Sequence, residues 1–364
     1  MKYIKQLDSI RAIAVLLVII WHWIPRTTII SKLHTGGLGV DIFFVLSGFL
    51  ITQILLDNRN KAENLQASRK NVLKNFYVRR VLRIFPIYYL TILVILLLNH
   101  RLSLLVTKSE ILADLTYTNN FYVYFKKLWP VASPHFWSLA VEEQFYLLWP
   151  LLMLFIPKKF LFASITGFIM IGVVSQLMIS DYEFGYVLTN TCFDCFGTGA
   201  LLAYVIVYKP YALSKFHKLI SGLAIIGLLV LALDWRYNLS IRFGRFVHAI
   251  LSTWIIGYIL IFKDRKTVLI QLLSNKVLMN VGKVSYGIYL YHVLYMYIGF
   301  KLWDWYVFPY LTFIRSEYLA WIFLLVNFWI LYFIAWLSWK FIEIPFLSLK
   351  KRFKYQQVKL SRTR

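Results

Sequence analysis

The sequence predicts an all-α fold, a polytopic integral membrane bundle of about ten transmembrane helices. Of the 364 residues, 60% are hydrophobic and only 15% are charged, a balance far from that of soluble globular domains. Apolar stretches of roughly 15–24 residues recur along the chain, and a helix needs about 20 residues to cross a bilayer. They lie at 9–25, 38–56, 82–98, 137–156, 160–179, 186–208, 219–235, 246–262, 284–302 and 318–342.

The distribution of basic residues supports this prediction. A formal net charge of +24 is typical of nucleic acid binding, but most of the 40 Lys and Arg residues fall on the cytoplasmic side if the chain starts inside and crosses ten times. The positive-inside rule requires that bias, so we expect no nucleic acid partner. We predict a membrane domain at 1–346 and a basic cytoplasmic tail at 347–364, which lies against anionic lipid headgroups.

The first span, IRAIAVLLVIIWHW, carries two ionisable residues on one face. Arg11 and His22 are eleven residues apart, which at 100° per residue returns them to nearly the same side of a helix, about 16 Å apart along its axis. Ionisable groups at the centre of a membrane segment cost roughly 2.5–3.5 kcal/mol each, so they usually mark a pathway or a reaction site. The pattern favours a membrane enzyme that holds an anion at the surface and deprotonates a group in the interior.

The second span opens with GLGVDIFFVLSGFLIT. Asp41 lies near its outer end, and Ser47 and Gly48 lie mid-span, where small residues let helices approach closely. Two interpretations of Asp41 stay open. It forms the polar rim of a packing notch, or its carboxylate orients a neighbouring histidine or binds an acceptor hydroxyl.

The third span begins within NFYVRRVLRIFPIYYL, the densest basic cluster that enters a span. Arg80 and Arg83 are three residues apart and share a helix face, whereas Arg79 is predicted to point elsewhere. Positive-inside anchoring explains one or two arginines at such a border. A pair on one face also suits bidentate binding of phosphates, and both interpretations remain open.

The fourth span begins with PHFWSLAVEEQFYLLWP. Glu142 and Glu143 diverge by 100°, so we expect one to enter the interior and the other to meet the interface, because neither can face lipid cheaply. One interpretation ties a glutamate to an arginine or a backbone group for assembly. The other gives these residues a part in acceptor binding or charge relay at the outer side, where a sugar stacks on Trp137.

The ninth and tenth spans add further polar positions. Ser285, Tyr289 and His292 fall within a narrow helical sector of the ninth span. A histidine in an aromatic helix is usually a packing residue, and contact with substrate is the alternative. The tenth span ends in WKFIEIPF, where Pro345 predicts a helix stop and Glu343 an inward-facing charge.

The sequence gives no sign of a metal or a permanently bound cofactor. Its two cysteines, Cys192 and Cys195, lie in CFDC at the start of the sixth span and have no partners at metal-ligand spacing. We interpret them as small packing residues. No nucleotide-binding fingerprint is present.

These segments together resemble the acyltransferase type 3 family of bacterial membrane proteins, which includes O-acetyltransferases of surface glycans. The resemblance covers about residues 5–346. Its pieces, in the family's order, are LDSIRAIAVLLVIIWH, GVDIFFVLSGFLIT, RRVLRIFPIYYL, FWSLAVEEQFYLLWP, SYGIYLYH and FIEIPF. The family's arginine–ten residues–histidine pattern falls on Arg11 and His22, and its paired arginines fall on Arg80 and Arg83. Some relatives carry a further periplasmic hydrolase-like domain, which we do not expect here.

The resemblance implies a multi-pass O-acyltransferase of the bacterial cytoplasmic (inner) membrane. It implies that acyl-CoA, with acetyl-CoA the expected co-substrate, supplies the acyl group and that Arg11, Arg80 and Arg83 bind its phosphates. His22 is then the general base toward a hydroxyl of a cell-surface or lipid-linked carbohydrate, lipopolysaccharide among them, or it carries the acyl group itself.

The remaining candidate residues serve the acceptor and the imidazole. Glu142 or Asp41 orients the ring of the histidine as a carboxylate does in hydrolases, and Trp137, Glu143 and His292 contact the acceptor. The rival function is a membrane transporter or flippase of a glycan intermediate or small solute, which polar helix faces also suit.

Overall fold

The computed structural model describes residues 3–25, 35–102, 104–237, 239, 241–311 and 316–353. These residues form helices and no strand, which confirms the predicted all-α class. Ten long helices coincide one by one with the ten predicted spans. They are α1 (Gln6–Trp23), α2 (Thr35–Asn64), α3 (Arg69–Leu102), α6 (Phe136–Phe155), α7 (Lys158–Met178), α9 (Phe193–Tyr208), α10 (Leu213–Tyr237), α11 (Gly244–Phe262), α14 (Ser285–Tyr306) and α15 (Ser316–Ser338). The shorter helices are α4 (Lys108–Leu115), α5 (Asn119–Lys126), α8 (Tyr182–Gly185), α12 (Val268–Leu273), α13 (Lys276–Lys283) and α16 (Ile344–Ser348).

The chain is a multi-pass membrane protein. In its described part, 8 helices are long and apolar enough to cross a membrane by length and composition. The other two long helices, α6 and α14, fall short because α6 carries Glu142, Glu143 and Gln144 and α14 is rich in tyrosine. These two helices contribute much of the polar lining of the candidate site.

Two helices extend well beyond their apolar stretches. α2 continues to Asn64 and α3 begins at Arg69, so residues 65–68 alone separate them. Their polar ends are rich in Lys, Arg, Glu and Asn, and a helix needs no apolar side chains to keep its backbone hydrogen bonds. The apolar pattern therefore located the spans but not the polar extensions of these two helices.

Pro345 does not stop the last helix, and that expectation is wrong. A π-helical turn, Trp339–Glu343, leads directly into α16. Pro345 lies in the first turn of α16, where a missing N–H costs no intrahelical hydrogen bond. Residues 354–364 of the predicted tail lie outside the described residues.

Helices α2 and α9 cross in close contact through glycines. A Cβ added to Gly48 would lie 2.1 Å from the carbonyl oxygen of Phe196, and one added to Gly199 would lie 2.1 Å from that of Val45. No other residue fits such an approach. The predicted close-packing role of the small residues in the second span is thereby confirmed, and the contact holds α2 beside the site.

Candidate active site

A cavity of about 760 Å³ lies among α1, α2, α3, α6 and α14 at the basic end of the bundle. The positive-inside rule predicts that this end faces the cytoplasm. Its described lining includes six basic side chains and three carboxylates, so its charge favours a multiply charged anion. The basic residues are Arg11, Lys61, Arg79, Arg80, Arg83 and Lys350, and the acidic residues are Asp57, Glu142 and Glu143.

Arg11, Arg80 and Arg83 come together in this cavity from two helices. Arg11 forms an ion pair with Asp8, one turn earlier on α1. The guanidinium of Arg80 lies 4.9 Å from the ring centroid of Tyr146. Arg80 and Arg83 are also close enough to Arg11 to act electrostatically on it. The arrangement gathers three guanidinium groups where an anionic ligand can reach them.

Arg79 reaches the same cavity, although helix spacing predicted that it points elsewhere. Its Nη1 donates hydrogen bonds to the carbonyl oxygens of Lys350 and Phe353, at 3.1 and 3.2 Å. The segment after α15 folds back against α3 and supplies these acceptors. A long side chain and a returning segment thus account for the difference.

Glu142 and Glu143 both line the cavity. The expectation that one of them meets the membrane interface is therefore wrong. The carboxylate of Glu142 accepts hydrogen bonds from the hydroxyls of Ser47 and Tyr146. These bonds tie the wall of the cavity to α2. They give no support to the prediction that Glu142 orients His22.

Two nearly buried residues, Ser138 and Tyr289, contribute hydroxyl groups to the part of the cavity lining that we call its deep end. Ser138 and Tyr289 line it from α6 and α14 and are hydrogen bonded to each other at 2.5 Å. The backbone carbonyl of Tyr289 accepts a hydrogen bond from Nδ1 of His292, at 2.6 Å. Tyr289 therefore links the lining of the cavity to His292, which is not itself part of that lining.

His22 and His292 form a pair between α1 and α14. Nδ1 of His22 is 2.9 Å from the carbonyl oxygen of Val18 and 3.3 Å from Nε2 of His292. A carbonyl oxygen can only accept, so the hydrogen-bond network assigns the proton of each neutral ring to Nδ1. The lone pair of His22 is then on Nε2, the tautomer that a general base requires.

His22 is the accessible member of a cluster of three histidines. His292 is 0% exposed and His135 is 3% exposed, and their ring centroids are 4.6 Å apart. Nε2 of His135 donates to the carbonyl oxygen of Leu290 at 3.2 Å. His22 is partly exposed, whereas the two rings behind it are buried, and His22 itself is not among the residues that line the cavity. His292, predicted from the sequence to contact the acceptor, is buried and lies against His22.

Asp41 belongs to a separate buried ion network in the first part of α2, at the end of the bundle that the positive-inside rule predicts to face outward. Its two oxygens pair with Nε of Arg245 and Nδ1 of His248, each at 2.9 Å. Nη1 of Arg245 also donates to the carbonyl oxygen of Tyr186 at 2.7 Å. The network ties α2 to α11 and to the segment before α9. These contacts favour the packing interpretation of Asp41 and not the orientation of His22.

Trp137 is only 6% exposed. Its ring packs against the rings of Phe44 and Tyr186, with centroids 6.2 and 5.4 Å away. The guanidinium of Arg245 lies 5.9 Å from the same ring. The structure therefore offers no open face of Trp137 for a sugar, and the stacking role predicted from the sequence finds no support.

Sequence reasoning missed Arg245 and His248. They are three residues apart in GRFVHAIL, at the start of an apolar stretch, and the signal that singled out Arg11 and His22 applies to them equally. The pairing of His22 with His292 had no such signal, because it joins residues 270 positions apart.

No metal site emerges from the part of the chain that the structure describes, where no group of three His, Cys, Asp or Glu side chains could hold an ion. Cys192 and Cys195 are buried and form no disulfide. The Sγ atom of Cys192 lies 3.1 Å from Nη1 of Arg245, so this cysteine packs within the outer ion network.

Comparisons with known proteins identify relatives of the chain. The model of an acyltransferase domain family matches residues 4–342. The peptidoglycan O-acetyltransferase OatA of Listeria monocytogenes is 31% identical over 316 residues, which cover 80% of this chain and 49% of that protein. The O-acetyltransferase OatA of Staphylococcus aureus is 30% identical over 389 residues, which cover 97% and 58%. The chain thus spans about half of the length of these relatives, or slightly more. No solved structure matches it significantly.

Proposed function

Because the chain belongs to this acyltransferase family, we propose that it is an integral-membrane O-acyltransferase. It transfers an acyl group, expected to be acetyl, from cytoplasmic acyl-CoA to a hydroxyl of a cell-envelope carbohydrate. One observation carries the proposal: a cation-lined cavity extends from the basic end of the bundle to the residues that adjoin the accessible His22.

The basic end of the cavity suits the phosphates of CoA. Arg11, Arg80 and Arg83 can bind phosphate oxygens in bidentate fashion, and the cytoplasm, which this end is expected to face, is the source of acyl-CoA. Tyr146, beside Arg80, and Ser138 are eight residues apart on α6, or about 12 Å. The phosphates can therefore stay near the mouth while the thioester lies deep.

His22 is the general base in this proposal. Its Nε2 takes the proton of the acceptor hydroxyl as that oxygen attacks the thioester carbonyl. The new C–O bond forms, the C–S bond breaks, and the imidazolium returns the proton to the departing CoA thiolate. Hydrogen bonds from Nδ1 to Val18 and His292 hold the ring in place, the role that a carboxylate has in hydrolases. The hydroxyls of Ser138 and Tyr289 must move apart for the thioester to meet His22.

The acceptor is proposed from the relatives. The Listeria protein is named for peptidoglycan, so a peptidoglycan sugar is the first acceptor to test, ahead of lipopolysaccharide. His22 lies in the last turn of α1, at the opposite end from Arg11. An acceptor therefore approaches from the outer side of the bacterial cytoplasmic membrane, and the donor approaches from the cytoplasm.

A transfer assay in proteoliposomes tests the proposal. With acetyl-labelled acetyl-CoA and a peptidoglycan acceptor, the wild-type protein should release CoA and acetylate the acceptor. His22→Ala should lower the rate about 10²–10⁴-fold. His217→Ala is the matched control, because His217 contacts Trp254 on α11 and is not part of the cavity lining.

The same assay separates the enzyme from the transporter. A transporter moves the glycan without consuming thioester, so the absence of CoA release from the wild-type protein would contradict the proposal. Label retained on the protein when acceptor is omitted would indicate an acyl-histidine route. A protein without label indicates direct transfer.

A further inference from the structure

The segment after the last long helix returns to the mouth of the cavity. α16 and the 3₁₀ turn Leu349–Arg352 pack against α3. Nη1 of Arg79 donates to the carbonyl oxygens of Lys350 and Phe353. These bonds to the main chain hold the side chain of Lys350 in the cavity lining, whereas the next residue, Lys351, is exposed and is not part of that lining.

Lys350 adds a cation where cations are already crowded. Arg79, Arg80 and Arg83 are all close enough to repel its ammonium group, and Glu343 attracts it. Several like charges in a partly desolvated space are unfavourable until an anion neutralises them. The mouth of the cavity is thus suited to more than one phosphate group.

The order of groups along the cavity matches the order of groups in acyl-CoA. Ser138 and Tyr289 lie at the deep end. Arg80 lies beside Tyr146, about 12 Å nearer the mouth along α6, and Lys350 comes from the returning C-terminal segment. In acyl-CoA the thioester is followed by the pantetheine arm, the pyrophosphate and the ribose 3′-phosphate. Lys350, whose carbonyl oxygen accepts a hydrogen bond from Arg79, is thereby placed toward the 3′-phosphate, a monoester that carries close to two negative charges at neutral pH.

Building on the proposed function, we infer that Lys350 binds the ribose 3′-phosphate of acyl-CoA, and that the site thereby selects acyl-CoA over thioesters that lack this group. The phosphopantetheine arm of an acyl carrier protein has no adenosine and no 3′-phosphate, so it leaves Lys350 without its anion. The C-terminal segment is then part of the donor site, in addition to any contact that it makes with lipid headgroups.

Equilibrium binding to two donors tests this inference. Purified wild-type protein, Lys350→Gln and the matched control Lys351→Gln are titrated with acetyl-CoA and with acetyl-dephospho-CoA, which lacks only the 3′-phosphate. The wild type and the control should bind acetyl-CoA at least about tenfold more tightly than acetyl-dephospho-CoA, which is the effect of one charge-assisted contact to phosphate. Lys350→Gln should lose that preference and bind acetyl-dephospho-CoA as the wild type does. The substitution keeps the main-chain carbonyl that Arg79 contacts.

The outcomes separate this inference from the proposed function. A preference for acetyl-CoA that persists in Lys350→Gln would overturn the inference, and so would an equal loss of affinity for both donors. A wild type that consumes acetyl-CoA without discriminating between the donors would overturn the inference alone. A wild type that neither binds nor consumes either donor would overturn the proposed function itself.

Discussion

Removing the imidazole of His292 tests how the structure holds His22. The contact at stake is one hydrogen bond between neutral rings, with 3.3 Å between Nε2 of His292 and Nδ1 of His22. Such a bond contributes about 0.5–1.5 kcal/mol net. The bond from Nδ1 to the carbonyl oxygen of Val18 remains, so His22 keeps its tautomer. At about 1.36 kcal/mol per tenfold change in rate, His292→Ala should lower turnover about 2–13-fold.

The assay measures turnover of labelled acetyl-CoA for His292→Ala, His292→Gln and His22→Ala in the same proteoliposomes. The amide oxygen of Gln can accept the hydrogen bond that Nε2 accepts, so His292→Gln should recover most of the lost rate. Because His292 is 0% exposed, truncation also leaves a cavity. Thermal stability and acetyl-CoA affinity are therefore measured for each variant to separate lost folding from lost chemistry.

A large loss in both His292 variants would refute this reasoning. Suppose that His292→Ala and His292→Gln each lowered turnover about 10²–10⁴-fold, the range expected of a general base, while thermal stability and acetyl-CoA affinity were unchanged. His292 would then take part in the chemistry. Holding the ring of His22 could not then be its role.

The remaining predictions concern the donor site, the outer ion network and pH. The double variant Arg80→Ala and Arg83→Ala should bind acetyl-CoA more than about tenfold more weakly than the wild type. Lys at both positions should restore only part of the affinity, since an ammonium group lacks the planar, bidentate geometry of guanidinium. Unchanged affinity would show that the arginines only anchor α3. Asp41→Ala should lower the free energy of unfolding by about 3–5 kcal/mol with donor affinity unchanged, because it leaves the buried charge of Arg245 unpaired; a stable variant would contradict the ion network. Burial raises the pKa of Asp114 from 3.8 to about 7, so the stability contributed by its protonated form is complete below pH 3.8 and is lost as pH rises through 7. Asp114→Asn should therefore flatten the dependence of thermal stability on pH between about 5 and 8, and an unchanged profile would contradict the shift.

The helices were predictable because the thickness of the bilayer sets the length of the apolar stretch that a spanning helix needs. Ten apolar stretches gave ten helices, since backbone hydrogen bonds must be satisfied within each span. The ends were less predictable. The polar end of α2 extends to Asn64, where water and lipid headgroups do not demand apolar side chains, and a proline at position 345 joined the first turn of a new helix without ending the old one.

Part of the cavity lining was predictable where one helix carries the information. Spacing placed Arg80 and Arg83 on one face of α3, and both line the cavity, as Arg11 does. His22, expected on the same face of α1 as Arg11, is not among the lining residues. Side-chain contacts between different helices could not be predicted from spacing within one helix. The contact of His22 with His292 depends on how α1 packs against α14, and helix spacing within one segment cannot report it.

Burial also decided roles that residue type alone could not. An aromatic ring at the start of a span suits sugar stacking, yet Trp137 is covered by Phe44, Tyr186 and Arg245. Asp41 was a candidate partner of His22, yet an arginine from α11 pairs with it. In both cases the deciding neighbour comes from a distant part of the sequence.

The central claim is that donor binding and chemistry occupy opposite ends of one site, and one paired measurement tests it most directly. The affinity for acetyl-CoA and the rate of acyl transfer are determined together for wild-type protein and His22→Ala. The account predicts that His22→Ala binds acetyl-CoA as the wild type does and transfers about 10²–10⁴-fold more slowly. A variant that kept near wild-type transfer, or one that lost donor binding together with transfer, would contradict it.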